Sequence, residues 1–161
     1  MKAYIFKTTP LPAPRLTQAV AKGWKGMINS RKKTIRAKGL RAQRYHNYKD
    51  AIRWEAKQLK FELPARIDLI QLHIPMFPSW SKKKKKALVS QPHQQKPDVD
   101  NYVKAILDAL APEDGYIWTI KVEKFWTTEN NGRFCIYVMT EEERGTINKI
   151  ISGFKIDKQY V

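Results

Sequence analysis

The sequence predicts a single α+β domain in which a small sheet packs against helices, and three observations carry that prediction. Four short stretches, residues 2–7, 66–76, 116–126 and 133–140, are rich in β-branched and aromatic residues and bounded by turn residues. Three others, 45–60, 100–110 and 141–154, repeat apolar residues at helical spacing. The length is the third: 161 residues, 42% of them hydrophobic, suit one domain. A chain of this size buries roughly 70% of its unfolded surface, enough for a core without metal or disulfide staples.

Each element has its own local justification. Lys2–Lys7 forms a first strand, ended by Pro10, Pro12 and Pro14. From there to about residue 44 the expectation is an irregular basic arm, carrying Gly23, Gly26 and Gly39 and ten Lys or Arg from Arg15 to Arg44. Such a segment is too like-charged and broken to pack as a layer alone, and reads as a surface arm or one ordered by a polyanion. Tyr48, Ile52, Ala56 and Leu59 predict a helix from about Tyr45 to Lys60, stopped by Pro64. Ile67, Leu69, Leu72 and Ile74 make a strand between Pro64 and Pro75, and a loop follows from Phe77 to Pro97. Val103, Ile106, Leu107 and Leu110 form one buried stripe on a helix with Asp100 as its N-cap, ended by Pro112 and Gly115. Tyr116–Trp126 and Arg133–Thr140 are strands joined through the turn Asn130-Asn131-Gly132. Thr140 and Glu143 fit a capping box that opens a last helix, whose Ile147, Ile150, Ile151 and Phe154 suit core or dimer contact.

Charge narrows the function. Lys and Arg number 31 against 15 Asp and Glu, a net +16, which points to a polyanionic partner, nucleic acid before anionic membrane. Residues 1–49 hold 13 Lys or Arg and no acid; residues 69–97 are also acid-free and contain the unbroken run Lys82–Lys86. Five acids then fall within 17 residues: Asp98, Asp100, Asp108, Glu113 and Asp114. Carboxylates beside a phosphate-binding surface repel its ligand unless a divalent cation neutralises them; charge balance against nearby lysines is the other account. The lone Cys135 forms no intrachain disulfide and suits a reducing compartment. The opening MKAYIFKTTP lacks the apolar core of a secretory signal, and no apolar run approaches the ~18 residues of a membrane span, so a soluble, cytoplasmic protein is expected.

The chemistry concentrates in Lys96-Pro-Asp-Val-Asp-Asn-Tyr-Val-Lys104. Asp98 and Asp100, two apart on extended chain, project to one side and offer hard oxygens to Mg²⁺, with water and substrate phosphates completing the octahedron. Lys104 lies one helical turn past Asp100 and Asp108 a turn beyond that. An ammonium there suits a scissile phosphate or leaving oxygen. The same spacing also suits an N-cap aspartate followed by an i,i+4 ladder of ion pairs, worth a few tenths of a kcal/mol each.

The longer string Lys96-Pro-Asp-Val-Asp-Asn-Tyr-Val-Lys-Ala-Ile-Leu-Asp-Ala-Leu110 resembles the signature of RusA-type Holliday junction resolvases. Pro14-Arg-Leu-Thr17 is similar to that family's PRxT arm, and Pro78-Ser-Trp-Ser-Lys-Lys-Lys84 to its lysine-rich loop. Val122-Glu-Lys-Phe-Trp126 is similar to its V-x-K-Y/W strand. The likeness spans roughly residues 1–140, with the motifs in order. It implies a small homodimeric fold with a two-layer mixed β-sheet packed with helices, in a bacterial or phage setting. The implied activity is Mg²⁺-dependent cutting of two opposed strands of a four-way DNA junction in recombination and repair, with Mn²⁺ a substitute. By resemblance, Asp98 and Asp100 become metal ligands, Lys104 the catalytic lysine, and Asp114 the third metal-binding aspartate, from Glu113-Asp114-Gly115-Tyr116-Ile117. Glu113 and Glu123 are the other acids available to complete the set. Arg15, Arg31, Lys32, Lys33 and Lys82, Lys83, Lys84, Lys85 and Lys86 are then expected to grip phosphates, and Trp80 to touch DNA.

Other chemistries find little support. His46, His73 and His93 are far apart and without the company a zinc site needs. Neither a phosphate-binding glycine loop nor a nucleophilic Ser or Cys constellation is present. Two alternatives stay open: a DNA-binding protein of the same fold with an impaired site, and a passive RNA binder suggested by charge alone.

Overall fold

A computed structural model describes residues 1–15, 18–111 and 113–146. In chain order the elements are β1 Lys2–Phe6, α1 Gln18–Ile28, α2 Lys33–Gln58, β2 Arg66–Pro75, α3 Lys82–Leu88, α4 Val99–Leu110, β3 Thr119–Thr127 and β4 Arg133–Val138. Residues 141–146 are helical as well. The strands form one mixed sheet in the order β1-β4-β2-β3, with β2 and β3 parallel and the other pairs antiparallel. The α+β class with a mixed sheet is therefore as expected.

The parallel pair follows from the connection, because two parallel strands need a crossover, here supplied by α3 and α4. β3 and β4 do not form the hairpin that the Asn-Asn-Gly turn suggests, since β2 lies between them. Their connection crosses the end of β2 so closely that a Cβ on Gly132 would stand 2.4 Å from the His73 carbonyl oxygen and 2.7 Å from Pro75 Cδ. Gly132 serves that close approach, where a larger residue has no room.

One sheet face carries the core. Tyr45, Tyr48, Ile52 and Ala56 of α2 and Tyr102, Ala105, Ile106 and Ala109 of α4 pack onto Phe6, Ile67, Ile70, Leu72, Ile74, Phe134 and Ile136. Each large apolar side chain so buried contributes about 1.5–3 kcal/mol. The opposite face, with Ile5, Lys7, Gln71, His73, Arg133 and Tyr137, lines an open groove. Asp68 braces one end of the sheet, accepting from Arg66 Nε and from the Met139 N–H, both at 2.7 Å.

The basic stretch read as an irregular arm is instead a helical hairpin of α1 and α2 over most of its length. The buried residues of α2, Gly39, Ala42, Tyr45, Tyr48, Ile52 and Ala56, form one continuous helical stripe. Gly39 is not a breaker: a Cβ there would lie 2.9 Å from Ile28 N and from Met27 Cβ, so the glycine lets the two helices touch. The lysine run, read as loop, is the helix α3, with Ser81 Oγ accepting from the Lys84 N–H at 3.3 Å as its cap. The capping box is present: the Thr140 N–H donates to Glu143 Oε2 at 2.8 Å and the Glu143 N–H to Thr140 Oγ1 at 3.3 Å. Residues 147–154 of the expected last helix, with Ile147, Ile150, Ile151 and Phe154, lie outside the described residues.

Candidate active site

The segment leading to α4 is laid along β3 before it turns. The Ser90 N–H donates to the Trp126 carbonyl at 3.0 Å, the Trp126 N–H to the Gln91 carbonyl at 3.0 Å, and the His93 N–H to the Lys124 carbonyl at 2.8 Å. His93, 4% exposed, stacks on Trp126 with centroids 3.9 Å apart, and its Nδ1 accepts from the Gln95 N–H at 3.3 Å. Burial pushes its pKa below the ordinary histidine value, so it serves as a neutral core group at physiological pH. Past it, Lys124 Nζ donates to the carbonyls of Gln95 and Pro97, each at 2.7 Å. Burial lowers the Lys124 pKa, and the Asp98 charge opposes that.

Asp98 itself, not Asp100, stands at the N-cap position of α4, yet its side chain makes no capping hydrogen bond. The N-cap lies two residues earlier than the sequence suggested because Val99 already takes helical geometry behind the extended Asp98. Asp98, Asp100 and Lys104 are all exposed, and Asn101 Nδ2 lies 3.4 Å from Asp100 Oδ1. The two carboxylates thus stand at the positive end of the helix dipole, with an ammonium one turn along. Their oxygens are not committed to ion pairs among the described residues, which suits a hard divalent cation.

The other acids go elsewhere. Asp108 Oδ2 accepts from Tyr45 Oη at 2.6 Å, tying α4 to α2. Desolvation and that carboxylate push the Tyr45 pKa up. Glu123 pairs with Lys121 at 2.9 Å and accepts from Gln71 Nε2 at 3.2 Å; those two contacts hold its pKa below the carboxylate norm. Asp114 and Glu113 are exposed on the turn after α4, which is held to the entrance of β2 by the Trp118 N–H on the Ala65 carbonyl at 3.1 Å. Among the described residues no three His, Cys, Asp or Glu are grouped so as to hold a metal ion. Asp98, Asp100 and Lys104 thus share the start of α4, and Asp114 lies on the turn that follows its end.

The cations expected to meet phosphates are largely exposed. The Ala13 N–H donates to the Asn101 carbonyl at 2.8 Å, which delivers the exposed Arg15 near the first turn of α4. Arg31, Lys32 and Lys33 are exposed where α1 turns into α2. On α3, Lys84 Nζ sits 3.8 Å over the Trp80 ring and Lys85 Nζ donates to the Pro78 carbonyl at 3.2 Å, while Lys82, Lys83 and Lys86 are exposed. Trp80 is half-buried against Trp126, centroids 5.0 Å apart, so its ring is divided between core and Lys84. Sequence reasoning gave Lys124 no role; its V-x-K-F-W context was a family likeness without a stated job, and the structure sets it beside the approach to α4.

Fold and site define a small basic α+β domain that presents two carboxylates and a lysine from one helix start. The sequence model of the endodeoxyribonuclease RusA family matches residues 24–138, and the chain belongs to that family of RusA-type Holliday junction resolvases, an endodeoxyribonuclease family. Neither a curated protein nor a solved structure matches it. No described helix is long and apolar enough to cross a membrane.

Proposed function

We propose that the chain is a structure-selective, Mg²⁺-dependent endonuclease that resolves four-way DNA junctions by paired symmetric nicks, as a homodimer, in recombination and repair. The observation that carries the reading is the pair of exposed, uncommitted carboxylates, Asp98 and Asp100, at the start of α4 with Lys104 one turn along. Asp98 and Asp100 hold the cation, with Asp114 the third ligand that the family pattern names. When bound, a divalent ion there offsets charge on the attacked phosphate and orients a water.

The remaining roles fall to the chain's own groups. Lys104 offers its ammonium to charge developing on the leaving 3′ oxygen, leaving a 5′ phosphate and a ligatable nick. Arg15, Arg31, Lys32, Lys33 and Lys82–Lys86 bind backbone phosphates, and those contacts set affinity rather than sequence preference. Trp80 stands beside the lysines of α3, with Lys84 Nζ over its ring, and offers an aromatic contact to DNA. A two-fold dimer axis matches two symmetric incisions.

The test is cleavage of a labelled four-way junction and a linear duplex of the same sequence, in Mg²⁺ and in EDTA, by wild type, Asp100→Asn and Asp114→Asn. Paired nicks confined to the junction, abolished by EDTA and by Asp100→Asn with binding retained, support the reading. Cutting by Asp100→Asn at the wild-type rate overturns the metal site. A second reading, a DNA-binding protein of the same fold with an impaired site, draws on the absence of a third acid beside Asp98 and Asp100 among the described residues. Retarded but uncut junction in Mg²⁺ is its signature.

A further inference from the structure

Lys124 is a strand lysine whose ammonium turns to main-chain carbonyls. It is half-buried, and among the described residues its ammonium has no carboxylate within ion-pair distance. Instead Nζ donates to two main-chain carbonyls, those of Gln95 and Pro97, both at 2.7 Å. Charge-assisted bonds of that length are roughly twice as strong as neutral ones. The carbonyls belong to residues 29 and 27 positions away in sequence, so the contact closes a long loop.

The bonds act on one small segment. Up to His93 the approach to α4 is held by main-chain bonds to β3 and by the His93–Trp126 stack. Beyond Gln95 no further ladder bond to β3 is present among the described residues, and the chain turns from β3 into the start of α4. At that turn the ammonium gathers the carbonyls on either side of Lys96, and the residue after Pro97 is Asp98. Tyr102, 3% exposed, lies under Nζ with its ring centroid 6.0 Å away, giving the lysine a fixed floor.

We propose that Lys124 is the positioning residue of this site: its ammonium clamps the Gln95–Pro97 turn and thereby sets where Asp98 presents its carboxylate. The proposal rests on the assignment of Asp98 as a ligand. Asp98 makes no capping bond of its own, so nothing on its side chain substitutes for the clamp. Lys124 differs in this from Lys104, which is exposed and free to meet the scissile phosphate. Partners that orient a ligand without touching the metal ordinarily govern affinity and geometry together.

Mn²⁺ is the probe, and the full chain is used in three variants: Lys124→Met, which keeps the stem without the charge, Lys124→Arg, which keeps a charged donor, and Asp98→Asn. Three quantities are measured: Mn²⁺ binding by calorimetry without DNA, amide hydrogen exchange at residues 95–99, and junction binding in EDTA. Lys124→Met is expected to weaken Mn²⁺ binding by about 10–100-fold and to speed exchange at 95–99, with junction binding in EDTA unchanged. Lys124→Arg is expected to restore much of both. Wild-type Mn²⁺ affinity in Lys124→Met overturns the proposal, as does a loss of junction binding in EDTA with metal affinity intact, which would make Lys124 a DNA contact. If Asp98→Asn leaves Mn²⁺ binding unchanged, or wild type binds none, the ligand assignment itself fails. That result is distinct from failure of the clamp, in which Asp98→Asn loses the metal and Lys124→Met does not.

Discussion

Asp68→Asn isolates a buried charge that holds the sheet to the chain beyond β4. The Asp68 side chain is 3% exposed; it takes Arg66 Nε at 2.7 Å and the Met139 N–H at 2.7 Å, with an Arg144 guanidinium nitrogen at 3.5 Å. Burial alone would push its carboxyl up, but the Met139 N–H and the two arginines outweigh burial and hold the pKa below the ordinary value. Removing one partner of a buried ion pair costs about 3–5 kcal/mol. Arg66 is 37% exposed and recovers part of its solvation in water, so about 2–3 kcal/mol is expected here. In a chain of this length that is a fall in Tm of about 5–10 °C at pH 7. A depressed carboxyl contributes stability above the unfolded value, near pH 4, and loses it as pH falls through the folded value. The gap between wild type and Asp68→Asn should therefore be full at neutral pH and shrink below about pH 4. Thermal melting by circular dichroism from acid to neutral pH measures it. A gap independent of pH, or none at pH 7, refutes this account of Asp68.

Gly132→Ala places a Cβ 2.4 Å from the His73 carbonyl oxygen; the forced shift should cost about 1–3 kcal/mol in calorimetry, and an unchanged Tm would mean that the β3–β4 crossing yields freely. Tyr45→Phe removes the donor 2.6 Å from Asp108 and should cost about 1–3 kcal/mol in urea denaturation, because the part-buried carboxylate is left without that partner. Replacing the exposed Lys82, Lys83 and Lys86 by alanine should flatten the slope of log K against log salt for junction binding by about 0.9 for each phosphate no longer neutralised. An unchanged slope would remove α3 from the DNA surface.

Local signals in the chain were sufficient for much of the fold. The stripe Val103, Ile106, Leu107 and Leu110 marked α4, prolines bounded β2, and Thr140 with Glu143 marked a helix start, because each depends only on residues within a turn or two. That Asp98, Asp100 and Lys104 share the start of one helix was legible for the same reason, since they are neighbours on one short segment. The hairpin of α1 and α2 was missed although Gly39 and Ala42 continue the buried stripe of α2. Gly39 reads as a breaker until the helix that packs against it is known.

By itself, then, the sequence determined the class of fold, the basic surface, and the residues at the start of α4, all properties of composition and short-range periodicity. Tertiary structure alone decided that β2 separates β3 from β4, that Asp108 turns to Tyr45 and Glu123 to Lys121, and that Lys124 reaches two carbonyls nearly thirty residues earlier. These are contacts between segments whose meeting is set by packing of the whole core. A side chain's partner over such a separation is decided by which surfaces the core brings face to face, and no local pattern records it.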